Sequence, residues 1–348
     1  MGMPAYASRV TDARSEVDPE ALPESFVVRL DTGEGIHYLD WGGEPVPPAE
    51  PHGRTASDAR ADPDGAATLP PLVLLHGLSQ TCWSWAPVAP RLAAHTRVLA
   101  PDLRGHGLSD PTRAGYDLDS LATDMLTVVS GAGWGEAVGG APVVVAGHGF
   151  GAMIAATMAA QAPGSVAGVA LVDGGWEEMA EATRSSADEY LAAIAEPPEV
   201  FSSMDAFLAD RRDFHPPTWD VDQERAARAQ VDQKHLGHVG LVSRPTAIRG
   251  SVQAMWTYDP SEVLIAIPRP LAVLVAETSA DDEGARERRL ALEDVLRMRA
   301  ARGLPAADVS RFTGAGHNLM RYRPAEVAAS LLALLRTATS ADAPGDPA

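Results

Sequence analysis

Residues 143–155 read VVVAGHGFGAMIA. A run of β-branched valines enters Gly-His-Gly-Phe-Gly, and small, helix-favouring residues follow at once. This is a buried strand, a tight turn and a helix with almost nothing between them. The same kind of apolar strand recurs in LVLLHG at 72–77, RVLAPDLRG at 97–105, VAGVALVDGG at 166–175 and LAVLVAE at 271–277, and a more polar strand, ADVSRFTG, follows at 307–314. Strands that are apolar throughout, alternating with helices, demand a parallel sheet covered on both faces. The fold class expected is therefore α/β.

A chain of 348 residues with 45% hydrophobic and 22% charged residues suits one large domain with a smaller insertion. The net charge of −19 argues against nucleic acid or anionic membrane as a partner. Residues 137–172 carry no Asp, Glu, Lys or Arg, but their glycines and Pro142 and Pro163 break them into pieces too short to span a bilayer. The one cysteine, Cys82, rules out an internal disulfide, and no apolar signal segment opens the sequence. The expected compartment is the cytoplasm.

Along the chain, residues 1–24 read as a polar, flexible leader. A first core part covers 25–175, with a Pro-, Gly- and Asp-rich loop insertion at 42–70. Residues 176–267 differ in character, with Trp176, Trp219, Trp256 and FHPPTWD, and read as a mainly helical cap. The core resumes at 268–336, closing with an amphipathic helix, and 337–348 read as a flexible tail.

Four motifs, LLHGLSQTCWSW, PDLRGHGLSD, GHGFGA and GAGHNLMRYRP, occur in an order and spacing that resembles the α/β-hydrolase fold family. The resemblance runs from about Phe26 to Arg336 and is weakest in the cap. It implies a mostly parallel sheet with helices on both faces and an inserted helical cap. It also exposes an anomaly. The middle of the G-x-S-x-G turn, where the family carries its nucleophile, is Gly149. Glycine accepts that strained backbone readily, so the fold need not suffer, but the acyl-enzyme route is lost.

The remaining site residues follow from the same resemblance. His317 in GAGHN takes the place of the general base. The backbone N–H groups of Leu78 and Phe150 take the place of an oxyanion hole. The acid that orients the histidine is either Asp173, at a strand end in LVDGG, or Asp281 in ETSADDEG, where Glu277 and Asp282 also lie. Asp173 has the alternative role of a helix cap, and the acids near 281 that of a solvated face. His76 is expected to brace its loop, and Asp102 and Arg104 to pair with backbone. His148, beside Gly149, is expected to be packed or hydrogen-bonded. Ser79 and Cys82 lie in the Leu78 loop but lack the strand-to-helix setting that activates a nucleophile.

Three functions fit. The first is an enzyme using a His–acid dyad without a serine nucleophile, by hydrolysis or proton abstraction. The second is a non-catalytic small-ligand binder. The third is a serine esterase whose nucleophile has been replaced by Gly149. The substrate is expected to be small and partly apolar, with Trp83, Trp85, Trp176, Trp219 and Trp256 as candidate pocket aromatics, for most of which ordinary packing within the cap is the alternative role. The histidines show no zinc spacing, and GHGFG lacks dinucleotide-loop spacing, so neither metal nor cofactor is expected.

Overall fold

The computed structural model describes residues 22–43, 68–194, 201–233, 239–278 and 283–341. Eight strands form one sheet: β1 (Glu24–Arg29), β2 (Gly35–Asp40), β3 (Leu72–Leu75), β4 (Val98–Pro101), β5 (Val143–His148), β6 (Val166–Val172), β9 (Leu271–Glu277) and β10 (Ala307–Thr313), in the order β1-β2-β4-β3-β5-β6-β9-β10. β7 (Val231–Gln233) and β8 (Val239–Leu241) make a separate antiparallel ladder. β1/β2 and β2/β4 pair antiparallel, and every other ladder in the main sheet is parallel. β3, β4, β5 and β6 are buried at every position. That follows from their apolar runs, since a central parallel strand is covered on both faces.

The helices are α1 (Ala89–Ala93), α2 (Leu118–Gly131), α3 (Phe150–Gln161), α4 (Met179–Thr183), α5 (Ala187–Ile194), α6 (Met204–Phe214), α7 (Val221–Ala229), α8 (Pro245–Trp256), α9 (Pro260–Val263), α10 (Glu283–Ala301), α11 (Leu319–Tyr322) and α12 (Pro324–Ala341). Two core clusters lie on opposite faces of the sheet. One packs Val73, Val145 and Leu171 against α2 and α3, and the other packs Leu74, Val144 and Val172 against α12. Alternate residues of the same strands therefore feed different clusters, as the period of two requires. Helix α2 begins at Asp117, whose carboxylate accepts from Ser120 N.

Between β6 and β9 lie α4 to α9 and the β7–β8 ladder, with a small cluster of their own around Phe207, Leu208, Ala227 and Val231. The expectation of a mainly helical segment omitted that ladder. At the C-terminal end, α12 continues to Ala341, five residues past the expected end of the core at 336. Among the described residues no helix is long and apolar enough to cross a membrane.

Candidate active site

The turn after β5 shows why its glycines differ. A Cβ on Gly147 would stand 2.0 Å from Gly151 O, and one on Gly151 would stand 2.6 Å from Leu75 O and His76 O. Backbone packs there, so both positions require glycine. Gly149 is another matter. Its backbone is at φ 53° and ψ −114°, yet a Cβ there would meet only His317, with Nε2 at 3.2 Å and Cε1 at 3.4 Å. No backbone blocks a side chain at position 149; its positive φ would strain one, and the exposed His317 ring would have to give by a few tenths of an ångström, but that side chain would point at the imidazole.

His317 follows β10, between Gly316 and Asn318, and its side chain is 63% exposed. Its Nδ1 lies 2.6 Å from Asp173 Oδ2. Asp173 follows β6 directly, and its side chain is fully buried. Its other oxygen accepts from Ala276 N at 2.8 Å and from Arg288 Nη2 at 2.9 Å. Burial by itself would raise this carboxyl. The bonds from His317 and Arg288 and the charge of Arg288 outweigh it, and hold Asp173 below the usual carboxylate range. Asp281, the other candidate acid, lies outside the described residues.

Arg288, on α10, also donates from Nε to Glu177 at 3.0 and 3.2 Å, and it stacks over the Trp176 ring at 5.0 Å. Burial raises the Glu177 carboxyl above its ordinary value, and nearby Asp173 adds to the rise. The sequence reading missed both residues. Glu177 lies in GGWEE and Arg288 in GARERRL, where nothing sets one acid or one arginine apart from its neighbours.

His148 is buried, with Nε2 3.0 Å from His317 O and Nδ1 3.1 Å from Gln80 Oε1. Burial, then the neighbouring His317, push its imidazole down to about 3, so it stays neutral. His76 places Nδ1 2.8 Å from Gly77 O and accepts Leu103 N at Nε2, at 2.9 Å. Both bonds tie down the loop after β3. Asp102 accepts from Cys82 N and Leu108 N, and Arg104 donates to the backbone carbonyl of Ala114 at 3.4 Å, but its main partner is Asp124, with which it forms a two-pronged ion pair.

A cavity of about 490 Å³ opens over this turn, lined by Leu78, Phe150, Gly149, Asp173, Glu177, Arg288 and His317. Phe150 opens α3, so its N–H has no partner within the helix. Ser79 and Asp173, both on the lining, hold positive φ values of 62° and 51°, a strained state for non-glycine residues that concentrates at functional sites. The apolar wall is Met153, Met179, Tyr190, Ile194 and Met255. The five tryptophans named from the sequence do not line it. Trp85 and Trp176 are buried in the core, and the Trp256 indole donates to Ser185 O.

One group of described residues has metal-ligating atoms close together. His37 Nδ1, Cys82 Sγ and an Asp102 oxygen lie within 4.8 Å of one another and are all buried. Both Asp102 oxygens already accept hydrogen bonds, and burial beside Asp102 holds the thiol well above its ordinary value, which disfavours the thiolate a metal needs.

The chain matches the profile of the Alpha/beta hydrolase family over residues 72–330, most of its length, and belongs to that family. It is 42% identical to the soluble epoxide hydrolase of Corynebacterium sp. (strain C12) over 85 residues, 24% of this chain and 28% of that one. It is 34% identical to the fluoroacetate dehalogenase of Burkholderia sp over 109 residues, 30% of this chain and 34% of that one. These matches span only about a quarter to a third of the relatives' lengths. In three dimensions the chain resembles E-2-(acetamidomethylene)succinate hydrolase, with a TM-score of 0.67 at 19% identity, covering 90% of this chain and 100% of that one. The thioesterase domain from the curacin biosynthetic pathway gives 0.64 at 19% identity, covering 89% and 99%. At such identities the likeness speaks for the fold.

Proposed function

We propose that this α/β-hydrolase is an enzyme acting on a small, partly apolar molecule without a serine nucleophile at position 149. His317 accepts a proton at Nε2, from water or from the substrate itself. Asp173 holds the ring through Nδ1 and stabilises the imidazolium that forms. The Leu78 and Phe150 N–H groups receive the negative charge that develops on a substrate oxygen. Residues 176–267 serve as the cap over the cavity, and their methionines and Tyr190 give the acyl or hydrocarbon part of the substrate its surface.

The single observation that carries this reading is the orientation of His317. Its Nδ1 is engaged by a buried carboxylate while its Nε2 looks directly at the place a residue-149 side chain would fill. The hydrolase and dehalogenase relatives support hydrolytic chemistry as the reaction class. The lone cysteine fits a reducing compartment such as the cytoplasm.

A second reading, in which position 149 is the place of a serine in an esterase, is favoured by the steric contrast within the turn. Gly147 and Gly151 are required by packing, and Gly149 is not. One experiment separates the two. The unaltered chain, His317→Ala and Gly149→Ser are assayed on esters of graded acyl size, on epoxides and on halocarboxylates. Turnover by the unaltered chain that His317→Ala removes supports the first reading. Turnover found only in Gly149→Ser, with an acyl-enzyme burst, selects the second.

A further inference from the structure

A Ser–His–Asp chain of hydrogen bonds lies at the β1 edge of the sheet, away from Gly149. Ser25 Oγ is 2.8 Å from His37 Nε2, and His37 Nδ1 is 2.7 Å from Asp102 Oδ2. Strand register explains the meeting. Val27 is opposite His37 in the antiparallel β1/β2 ladder, so Ser25, two residues back on the same face, is its diagonal neighbour. Asp102 follows β4, which pairs with β2 on its other side. His37 and Asp102 are buried, whereas Ser25 is exposed.

The polarity of the chain is set from its inner end. Asp102 is acceptor-only when ionised, so His37 Nδ1 must carry the hydrogen. Nε2 then presents a lone pair to the Ser25 hydroxyl. The two Asp102 oxygens also accept Cys82 N and Leu108 N, which fix the carboxylate. A buried acid orients an imidazole whose far nitrogen accepts from an accessible serine, which is the connectivity by which a hydroxyl is activated. Two further features fit a reactive centre. Among the described residues β1 is the first strand in the sheet order, and along an edge strand every other backbone N–H faces away from its partner strand, which turns the N–H of Ser25 or of Phe26 outward near the hydroxyl. His37 and Asp102 also line a cavity of about 470 Å³, together with Thr81, Trp83 and Leu108, so the base and acid are reached from a cavity on whose lining Ser25 itself does not lie, and among the described residues the buried Thr81 hydroxyl has no hydrogen-bond partner.

We propose that Ser25 is an acyl- and phosphonyl-accepting nucleophile, with His37 as its base and Asp102 as the orienting acid, independent of the cavity at Gly149. Toward an activated ester, Ser25 Oγ forms the new bond to the carbonyl carbon and the leaving oxygen departs with its electron pair. The serine proton passes to His37 Nε2 and from there to the leaving group. Water, giving its proton to the same nitrogen, then releases the acid and restores the serine.

The test uses the full chain. It is treated with a fluorophosphonate probe, and the adduct is located by intact mass and peptide mapping. One phosphonyl addition on Ser25, absent from Ser25→Ala, is expected. No addition, or addition at another serine, overturns the proposal. His37 is buried and its replacement risks unfolding, so the base is tested at the exposed position instead. In Ser25→Cys the new thiol should react with a neutral disulfide reagent well below pH ~8.5, the ordinary cysteine midpoint, because His37 takes up its proton. Cys82 is fully buried and does not compete. A thiol at position 25 that titrates as an ordinary exposed cysteine overturns the assignment. Neither readout involves His317, so failure here leaves the reading of the Gly149 cavity standing.

Discussion

His317–Asp173 and His37–Asp102 make nearly the same bond, Nδ1 to a carboxylate oxygen at 2.6 and 2.7 Å, from a deeply buried aspartate in each case. They differ at the other nitrogen and in their setting. His317 is 63% exposed, its Nε2 faces a cavity, and the residue in front of it is a glycine. His37 is 3% exposed, and its Nε2 is already bonded to a serine. Both pairs line a cavity, but the first lacks a hydroxyl in front of Nε2. The other keeps the hydroxyl and sits in a sheet edge. A histidine–aspartate distance alone therefore does not tell machinery from scaffold. What Nε2 faces, and whether the group it faces is exposed, as Ser25 is, must be read with it.

The largest expected effect falls on the first pair. His317→Ala should lower turnover by on the order of 10²–10⁴-fold, as loss of a general base commonly does. Asp173→Asn should follow it. Kinetics on any substrate found in the panel check both, and a fully active His317→Ala would move the chemistry elsewhere.

The next effect falls on the second pair as loss of stability. Asp102→Ala strips an acceptor from His37, Cys82 N and Leu108 N at once. Breaking such a buried arrangement costs about 3–5 kcal/mol, which urea unfolding would register as a lower midpoint. A change under about 1 kcal/mol would mean that the network contributes little.

The third prediction concerns acid. Burial pushes His106 and His148 down to about 3, against an unfolded value near ~6.5. Between those values the unfolded chain binds more protons. The contribution of each group is therefore complete above pH ~6.5 and is lost as pH falls toward 3, at about 1.4 kcal/mol per pH unit for each histidine. Urea midpoints at a series of pH values should show that slope, to which the buried His76, also held below its ordinary value, adds, and His106→Gln should reduce it. A flat profile would mean that the imidazoles are hydrated.

The smallest effect separates the two aspartates by their surroundings. Only Asp173 has an arginine on its second oxygen. Arg288→Gln should cost about 1.5–3 kcal/mol as a charge-assisted bond is lost, and should let the Asp173 carboxyl rise. The lowered Asp173 contributes stability that is present above pH ~3.9 and lost as pH falls through its folded value, so the variant should show a smaller loss over that acid range. An unchanged acid limb would mean that the guanidinium is screened.

Much of the fold was legible because the period of apolar residues was. The all-apolar strands around Val73, Val144 and Val169 admit few placements other than the middle of a parallel sheet. His317, Asp173 and Gly149 were legible as candidates because each stands at a strand end, marked by glycines or an apolar run. Arg288 was not, because an arginine on a charged helix carries no mark of the cavity beneath it. Ser25 was not, because its partners lie 12 and 77 positions away, and only strand pairing brings them together. Of the two roles the sequence left open for the tryptophans, Trp85 and Trp176 take packing. A large aromatic fills a core as readily as it lines a pocket.

Nothing that holds His317 in place passes through residue 149. Its Nδ1 rests on Asp173, its carbonyl is bonded by His148, and the turn around it is fixed by Gly147 and Gly151. A side chain at residue 149 would therefore bear the strain of a positive φ, yet it would break none of the contacts that hold the imidazole. The turn works like a fixture with an exchangeable bit: what stands at 149 can change while the part that aims at it keeps its alignment.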